Sequence, residues 1–278
     1  MSRTTRGNAM PTPVQTLGDH LRFWRERRRM SQLDLAAEAE VSTRHLSFLE
    51  TGRSRPSREM VLHLAERLAL PLRARNALLI AAGFSPIYQE RALDDPELRG
   101  DRRAVDLILA GHEPFPALAV DRHWTMVASN AAGTRLFSAI DVAPALREPP
   151  INVLRLALHP DGMARHIRNL PQLRHHLLDR LRSQVEMSAD PSLADLLEEL
   201  HDYPVDADAA SDRGPGDDYG GVAVPFVVRI GDDMLSLIST TTVFGSPVDI
   251  TLSELAIETF FPLDTATSQA LRRAAGQA

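Results

Sequence analysis

Apolar positions in the first third of the chain recur with the period of a helix. Leu17, Leu21 and Trp24 stand at i, i+4 and i+7, which predicts a helix over about 13–30. Leu35, Ala36 and Ala39 predict a second, from a capping Ser31 to Ala39, with Ala36 small enough for another helix to cross closely. Val41 plugs the turn, and Ser42 caps a third helix, Thr43–Thr51. Leu46 and Leu49 face inward there, while Thr43, Arg44, Ser47 and Phe48 face out, and Gly52 ends it. Pro56 blocks helix. Ser57 then caps a fourth helix to Leu68, with Met60, Val61, Leu64 and Leu68 inward. Pro71 opens a fifth, which Gly83 ends.

Residues 84–104 lose this period; two prolines and a charge run read as a connector. Val105–Leu109 restarts an apolar pattern. Period-2 segments follow at Ala117–Asp121 and Trp124–Asn130, predicting a hairpin, and Asn130 is placed to cap a helix over Ala131–Ile140. An apolar run, Ile151–Leu158, precedes a helix capped by Asp161 through Ala164, His166 and Ile167. Pro171 restarts it, and Leu173, Leu177, Leu178, Leu181 and Val185 give a long amphipathic helix. Asp190 caps Pro191–His201. Residues 204–221 are acidic and Gly-rich and read as a mobile surface loop. Three strands are expected last: Val222–Ile230, Met234–Val243 and Thr251–Phe261, with Glu254 and Glu258 pointing away from Leu255, Ile257 and Phe261.

Two short helices joined by about four residues at Ser31–Gly52 form a helix-turn-helix, which reads the DNA major groove. Gln32, at the second residue of the first motif helix, can reach a phosphate oxygen where the helix dipole assists. Ser42, Thr43, Arg44 and Ser47 lie on the groove side. Arg44 can pair with guanine O6 and N7, a phosphate contact being its rival role. His45 sits between the faces, in a packing or phosphate role. Arg53 and Arg55 follow in a loop suited to the DNA backbone. Glu50 would repel phosphate, so an internal partner is expected, Arg53 or a helix-4 arginine. Arg22, Arg25, Arg27, Arg28 and Arg29 cluster beside the motif, so some of them are expected on phosphate.

Charge divides the 278-residue chain the same way. Its net charge is −6, yet residues 1–84 hold 14 arginines against 8 acids, and the remainder is strongly acidic. All basic side chains are arginine. Cysteine is absent, which removes disulfides and thiolate metal sites and fits a cytoplasmic protein. No apolar run reaches membrane-span length. His175-His176 points two ways on a helix, and no motif of metal-ligand spacing, nucleophile elbow or phosphate loop occurs, so neither metal, cofactor nor enzymatic activity is expected.

The stretch VSTRHLSFLETGRSRPS, over Val41–Ser57, resembles the MmyB-like subset of Xre/Cro-type repressors, and WTMVASNAA and INVLRLALHPDG are similar to the same family's wording. The resemblance implies a five-helix, lambda-repressor-like DNA-binding domain and a C-terminal PAS-like α+β domain, a five-stranded antiparallel sheet with helices on one side, that binds fatty-acid-like molecules. One departure stands at Glu40, where the family commonly has Gly because the backbone tends to positive φ; strain or a different turn is expected.

The expected organisation is a DNA-binding domain at 13–84, a linker at 85–104 and a ligand-binding and dimerisation domain at 105–278. Trp124, Met126, Leu177, Leu181, Phe226, Val228, Leu237, Ile257 and Phe261 are the expected apolar walls of a ligand site. Arg155 lies inside an apolar run and has two readings: a half-exposed arginine paired with a local acid, or a guanidinium facing a ligand carboxylate. The expected function is a homodimeric transcriptional regulator on a near-palindromic operator that senses a small apolar ligand. The rival readings are a DNA-binding protein whose second half only dimerises or recruits protein, and an enzyme fused to a helix-turn-helix.

Overall fold

The computed structural model describes residues 16–204, 224–245 and 249–277. Residues 1–12, expected from their unpatterned Ser, Thr, Arg, Gly and Pro to form a mobile arm, and most of the acidic loop lie outside these residues. The chain divides into two compact units after Tyr88.

The first unit is five helices: α1 Leu17–Arg27, α2 Gln32–Glu38, α3 Thr43–Glu50, α4 Arg58–Arg67 and α5 Leu72–Ala81. Four begin at a hydroxyl cap. Thr16 and Ser31 form reciprocal capping boxes with Asp19 and Asp34, and Ser42 and Ser57 each accept one backbone N–H. Leu21, Leu35, Leu46, Leu49, Leu64, Leu68, Leu78 and Leu79 are fully buried, each worth about 1.5–3 kcal/mol of transfer free energy. Met60, expected inside, is only half-buried. α1 crosses α3 at Gly18, where an added Cβ would stand 2.2 Å from the Glu50 carbonyl oxygen. Glu40 takes φ 54°, the left-handed value expected at that turn, and has a side chain where glycine would be unstrained.

The second unit holds a five-stranded antiparallel sheet. Its strands are β1 Ala117–Val120, β2 Met126–Ser129, β3 Phe226–Ile230, β4 Asp233–Val243 and β5 Ala256–Pro262, in the order β2-β1-β5-β4-β3. The helices are α6 Arg99–Gly111, α7 Ala131–Ala139, α8 Val153–Leu158, α9 Leu170–Ser188, α10 Pro191–His201, α11 Ile250–Ser253 and α12 Thr265–Ala274. Asn130 caps α7 and Asp190 caps α10, as their sequence positions predict.

Pairing register sets the faces of the sheet. Leu118 opposes Glu258, Ser239 opposes Phe260, and Phe226 and Val228 oppose Leu237 and Leu235. These side chains share the face covered by α7, α8, α9, α10 and α12. Ala117, Ala119 and Ile257 occupy the other face, packed on Val105 and Leu109 of α6. Helices therefore cover part of both faces, not one.

Several elements differ from expectation for local reasons. Within the apolar run Ile151–Leu158, Val153–Leu158 forms helix α8, since the Asn152 side chain accepts the N–H groups of Leu154 and Arg155. The Asp161 helix is reduced to a single 3₁₀ turn, Ala164–His166, because Met163 N–H bonds back to the Leu156 carbonyl. Thr251 lies in α11, capped by Asp249, so β5 starts only at Ala256. α12, absent from the sequence-based expectations, starts at a plain cap, Asp264. The 85–104 stretch is shared between the units. Ile87 and Tyr88 are held by Asn76, whereas Arg91 pairs with Asp249 at 3.1 Å and helical structure begins at Pro96.

Residues 1–88 expressed alone should unfold in one cooperative, helix-detected thermal transition, because their core is self-contained. Loss of that transition in the fragment would show that the unit depends on the rest of the chain.

Candidate nucleic-acid interface and ligand-binding face

The motif helices are fixed by one buried carboxylate. Glu50, at the end of α3, is 4% exposed. Arg25 of α1 donates to it from Nε at 2.7 Å and from Nη2 at 3.1 Å, and Gln32 of α2 donates from Nε2 at 2.8 Å. Arg22 adds a longer ion pair at 3.8 Å. Burial pushes the Glu50 carboxyl up, but hydrogen bonds from Arg25 and Gln32 and the charges of Arg25 and Arg22 outweigh it. The group titrates below the ordinary glutamate value of 4.5.

The internal partner expected for Glu50 exists, but it comes from α1 rather than Arg53 or α4. Gln32, expected on phosphate, directs its amide at the same carboxylate. Two of the α1 arginines expected to be available for DNA serve the fold: Arg25 also donates to the Met30 carbonyl, and Arg28 donates to the carbonyls of Leu68 and Ala69 at the end of α4. The signal for Arg25 is its place beside the inward Trp24.

The outer side of α3 is built as its period predicts. Thr43 and Arg44 are exposed, Ser47 and His45 are half-buried, and Arg53 and Arg55 are exposed in the following loop. Ser42 is exposed while its hydroxyl accepts the His45 N–H at 3.1 Å. Phe48 also lies on this side, with the guanidinium groups of Arg44 and Arg53 over its ring at 5.3 and 6.0 Å from the centroid.

In the second unit, the helical face of the sheet brings together seven of the expected ligand residues. Trp124, Met126, Leu177 and Leu181 belong to one apolar cluster, and Phe226, Val228 and Leu237 to its neighbour, which Leu177 also touches. Ile257 lies on the opposite face against α6, and Phe261 follows it at even spacing and is 41% exposed. The expected orientation is thus reversed at β5: Glu258 points to the helical face and is 5% exposed. Arg180 of α9 donates to it at 2.6 Å and stacks over Trp124 at 4.6 Å, while Thr241 donates at 3.0 Å. Sequence alone does not single out this pair.

Arg155 is engaged by a local acid. Its Nε and Nη2 donate to both oxygens of Glu199 at 2.6–3.0 Å, and Tyr203 donates to the same carboxylate at 2.6 Å. The Arg155 hydrogen bonds hold the Glu199 carboxyl below its ordinary value against the effect of burial. Burial, together with its bond to Glu199, pushes the Tyr203 phenol up. Among the described residues, no group of three or more His, Asp or Glu side chains is placed to hold a metal ion, and no helix is long and apolar enough to cross a membrane.

Breaking the Glu50 cluster should be costly. Arg25→Ala leaves a buried carboxylate without its main partner and is expected to lower stability by about 3–5 kcal/mol in denaturant unfolding. Because the folded pKa of Glu50 lies below 4.5, its contribution is present above that pH and is lost as pH falls through the folded value. Glu50→Gln should therefore flatten acid unfolding in that window; an unchanged acid limb would assign the pH dependence to other carboxylates.

Comparison with known proteins places both units. Residues 16–78 match a family described as a helix-turn-helix domain, and residues 102–274 match one described as the MmyB-like transcription regulator ligand binding domain. No curated protein matches the chain. One solved structure, described as that of an RNA-binding Light-Oxygen-Voltage receptor, is 13% identical with a TM-score of 0.23. The alignment covers 94% of this chain and 64% of the receptor chain, so this chain spans less than two thirds of that length, and so weak a likeness carries no argument. The ligand-binding match alone takes in more than half of the chain, which belongs to the MmyB-like transcription regulators and joins a helix-turn-helix DNA-binding domain to a ligand-binding domain.

Proposed function

We propose that the protein is an Xre-type regulator that binds a near-palindromic operator as a homodimer and responds to a small, fatty-acid-like ligand in a PAS-like C-terminal domain. One observation carries the DNA half of this reading. α3 contains a single acid, Glu50, and that acid is buried and neutralised by Arg25. The outer side of α3 and the loop after it thus present Thr43, Arg44, Ser47, Arg53 and Arg55 with no acid among them, which suits phosphate and guanine. Gln32 and His45 are then residues at the edge of the contact. Two copies on half-sites about 34 Å apart would contact enough bases for specificity.

The ligand half is supported by the seam between the two clusters of the helical face. Phe137, Leu170, Leu177 and Phe260 pack against both, yet all four keep accessible surface. An acyl chain at this seam would meet apolar side chains on both sides, with Trp124, Met126, Leu181, Phe226, Val228 and Leu237 behind it. Arg155 can anchor an acid head group there only by sharing its guanidinium with Glu199 or releasing it.

Operator affinity should fall steeply with salt, because each phosphate contact releases counterions. Arg44→Ala should cost about 1–3 kcal/mol in operator binding and relax preference at one position. An equal loss on all sequences would make Arg44 a phosphate contact, and binding indifferent to salt would overturn the DNA reading.

A C8–C16 fatty acid should raise the melting temperature of the full chain by mass action. Leu177→Glu should abolish that shift. No shift with any acyl chain would favour a second domain that only dimerises or recruits protein.

A further inference from the structure

Phe48 is an aromatic ring on the side of the molecule that chemistry would make most polar. The core of α3 is complete without it: Leu46 and Leu49 are 0% and 1% exposed, whereas Phe48 keeps part of its surface in solvent. It lies one helical turn from Arg44 and shares that residue's face. Two guanidinium groups lie over its ring, Arg44 at 5.3 Å and Arg53 at 6.0 Å from the centroid. Neither arginine has a carboxylate partner among the described residues, since the ion pairs near α3 go to Glu50 from α1.

A phenyl ring can neither donate nor accept an ordinary hydrogen bond, so it cannot read guanine, cytosine or adenine by their polar edges. The major groove offers one apolar mark, the C5-methyl of thymine, and Phe is among the side chains that contact it. Exposing a ring on a helix costs hydration free energy in the unbound protein. Burying it against a methyl group recovers that cost only on DNA that carries the methyl at the right step. Arg44 and Arg53 both approach the ring, so a guanine or phosphate contact by either one would fix which base step the ring meets.

We propose that Phe48 is a specificity-determining residue that packs on the C5-methyl of one thymine per half-site. This rests on the DNA-binding reading above and adds a base to it that hydrogen-bond reasoning does not supply. The alternative role for the ring is a platform that orients Arg44 and Arg53 without touching a base.

The test uses the full chain and an operator selected by it from random duplexes. Each thymine is replaced in turn by uracil, which deletes only the methyl and keeps the base pair. At one thymine position per half-site, uracil should weaken wild-type binding about fourfold, the worth of one buried methyl-sized group. Phe48→Ala should bind the thymine operator more weakly and no longer distinguish uracil at that position, while Phe48→Leu should retain part of the discrimination. A melting curve close to wild type confirms that each variant folds. The proposal is overturned if no uracil weakens wild-type binding, or if Phe48→Ala shows the same uracil penalty as wild type, the result expected of a platform. If Phe48→Ala abolishes all binding, the Phe48→Leu series decides: an undiminished uracil penalty overturns the proposal and a reduced one supports it. A wild-type chain that binds no duplex at all overturns the DNA-binding reading itself, and this proposal with it.

Discussion

A single carboxylate organises the DNA-reading end of this molecule. Glu50 has little access to water, so its charge must be met inside the protein. Arg25 meets it from α1 and Gln32 from α2, which ties three helices to one point at the end of α3. The close crossing of α1 at Gly18, against the Glu50 backbone, keeps those side chains within reach. A buried ion pair is weak evidence for net stability, because desolvation offsets much of its attraction. Its geometry is what matters here: a bidentate guanidinium and an amide fix the angle at which α3 leaves the body of the unit. The same arrangement takes a negative charge off the outer side of α3, the side proposed to meet DNA.

The first unit is largely legible in the sequence. Three of its helices announce themselves by serine caps, Ser31, Ser42 and Ser57, followed by leucines at helical spacing, and local signals of this kind need no knowledge of distant residues. Even the strained turn is readable: Glu40 stands at a left-handed position and adopts that φ. What cannot be read is partnership across helices. Arg25 and Arg28 differ from Arg27 and Arg29 only in helical phase. Helical phase places them near Trp24, but only packing shows that their head groups end on Glu50 and on the end of α4.

The second unit is legible in composition and less so in orientation. The five strands follow from the change of period, but α11, α12 and the facing of β5 do not. Alternation in SELAIETFF assigns Ile257 and Glu258 to opposite faces without saying which face meets the helices. Apolarity marks the helical side only where the other side is solvated. This sheet is covered on both faces, so Ile257 meets α6 and Glu258 meets α9. A strand with two apolar neighbourhoods can direct a charge inward, provided a cation arrives from another element, and Arg180 does so from α9. That arginine stands 78 residues before Glu258, a pairing no local window contains.

Two buried clusters meet on the helical face, and the proposed ligand response turns on how they join. Each has its own set of fully packed side chains, so each holds its shape. The junction between them runs through four partly buried residues, Phe137, Leu170, Leu177 and Phe260, where less surface is removed from water. Separating the clusters along this line would pull apart the apolar contacts of these four side chains, at a cost that scales with the area exposed. A ligand shifts an equilibrium only by its differential affinity for the two arrangements. On the proposed reading, an apolar ligand at the seam would pack on both clusters at once and so favour whichever spacing admits it. Polar anchors on this face, Arg180 with Glu258, are already paired, which leaves apolar packing to set the direction of the shift.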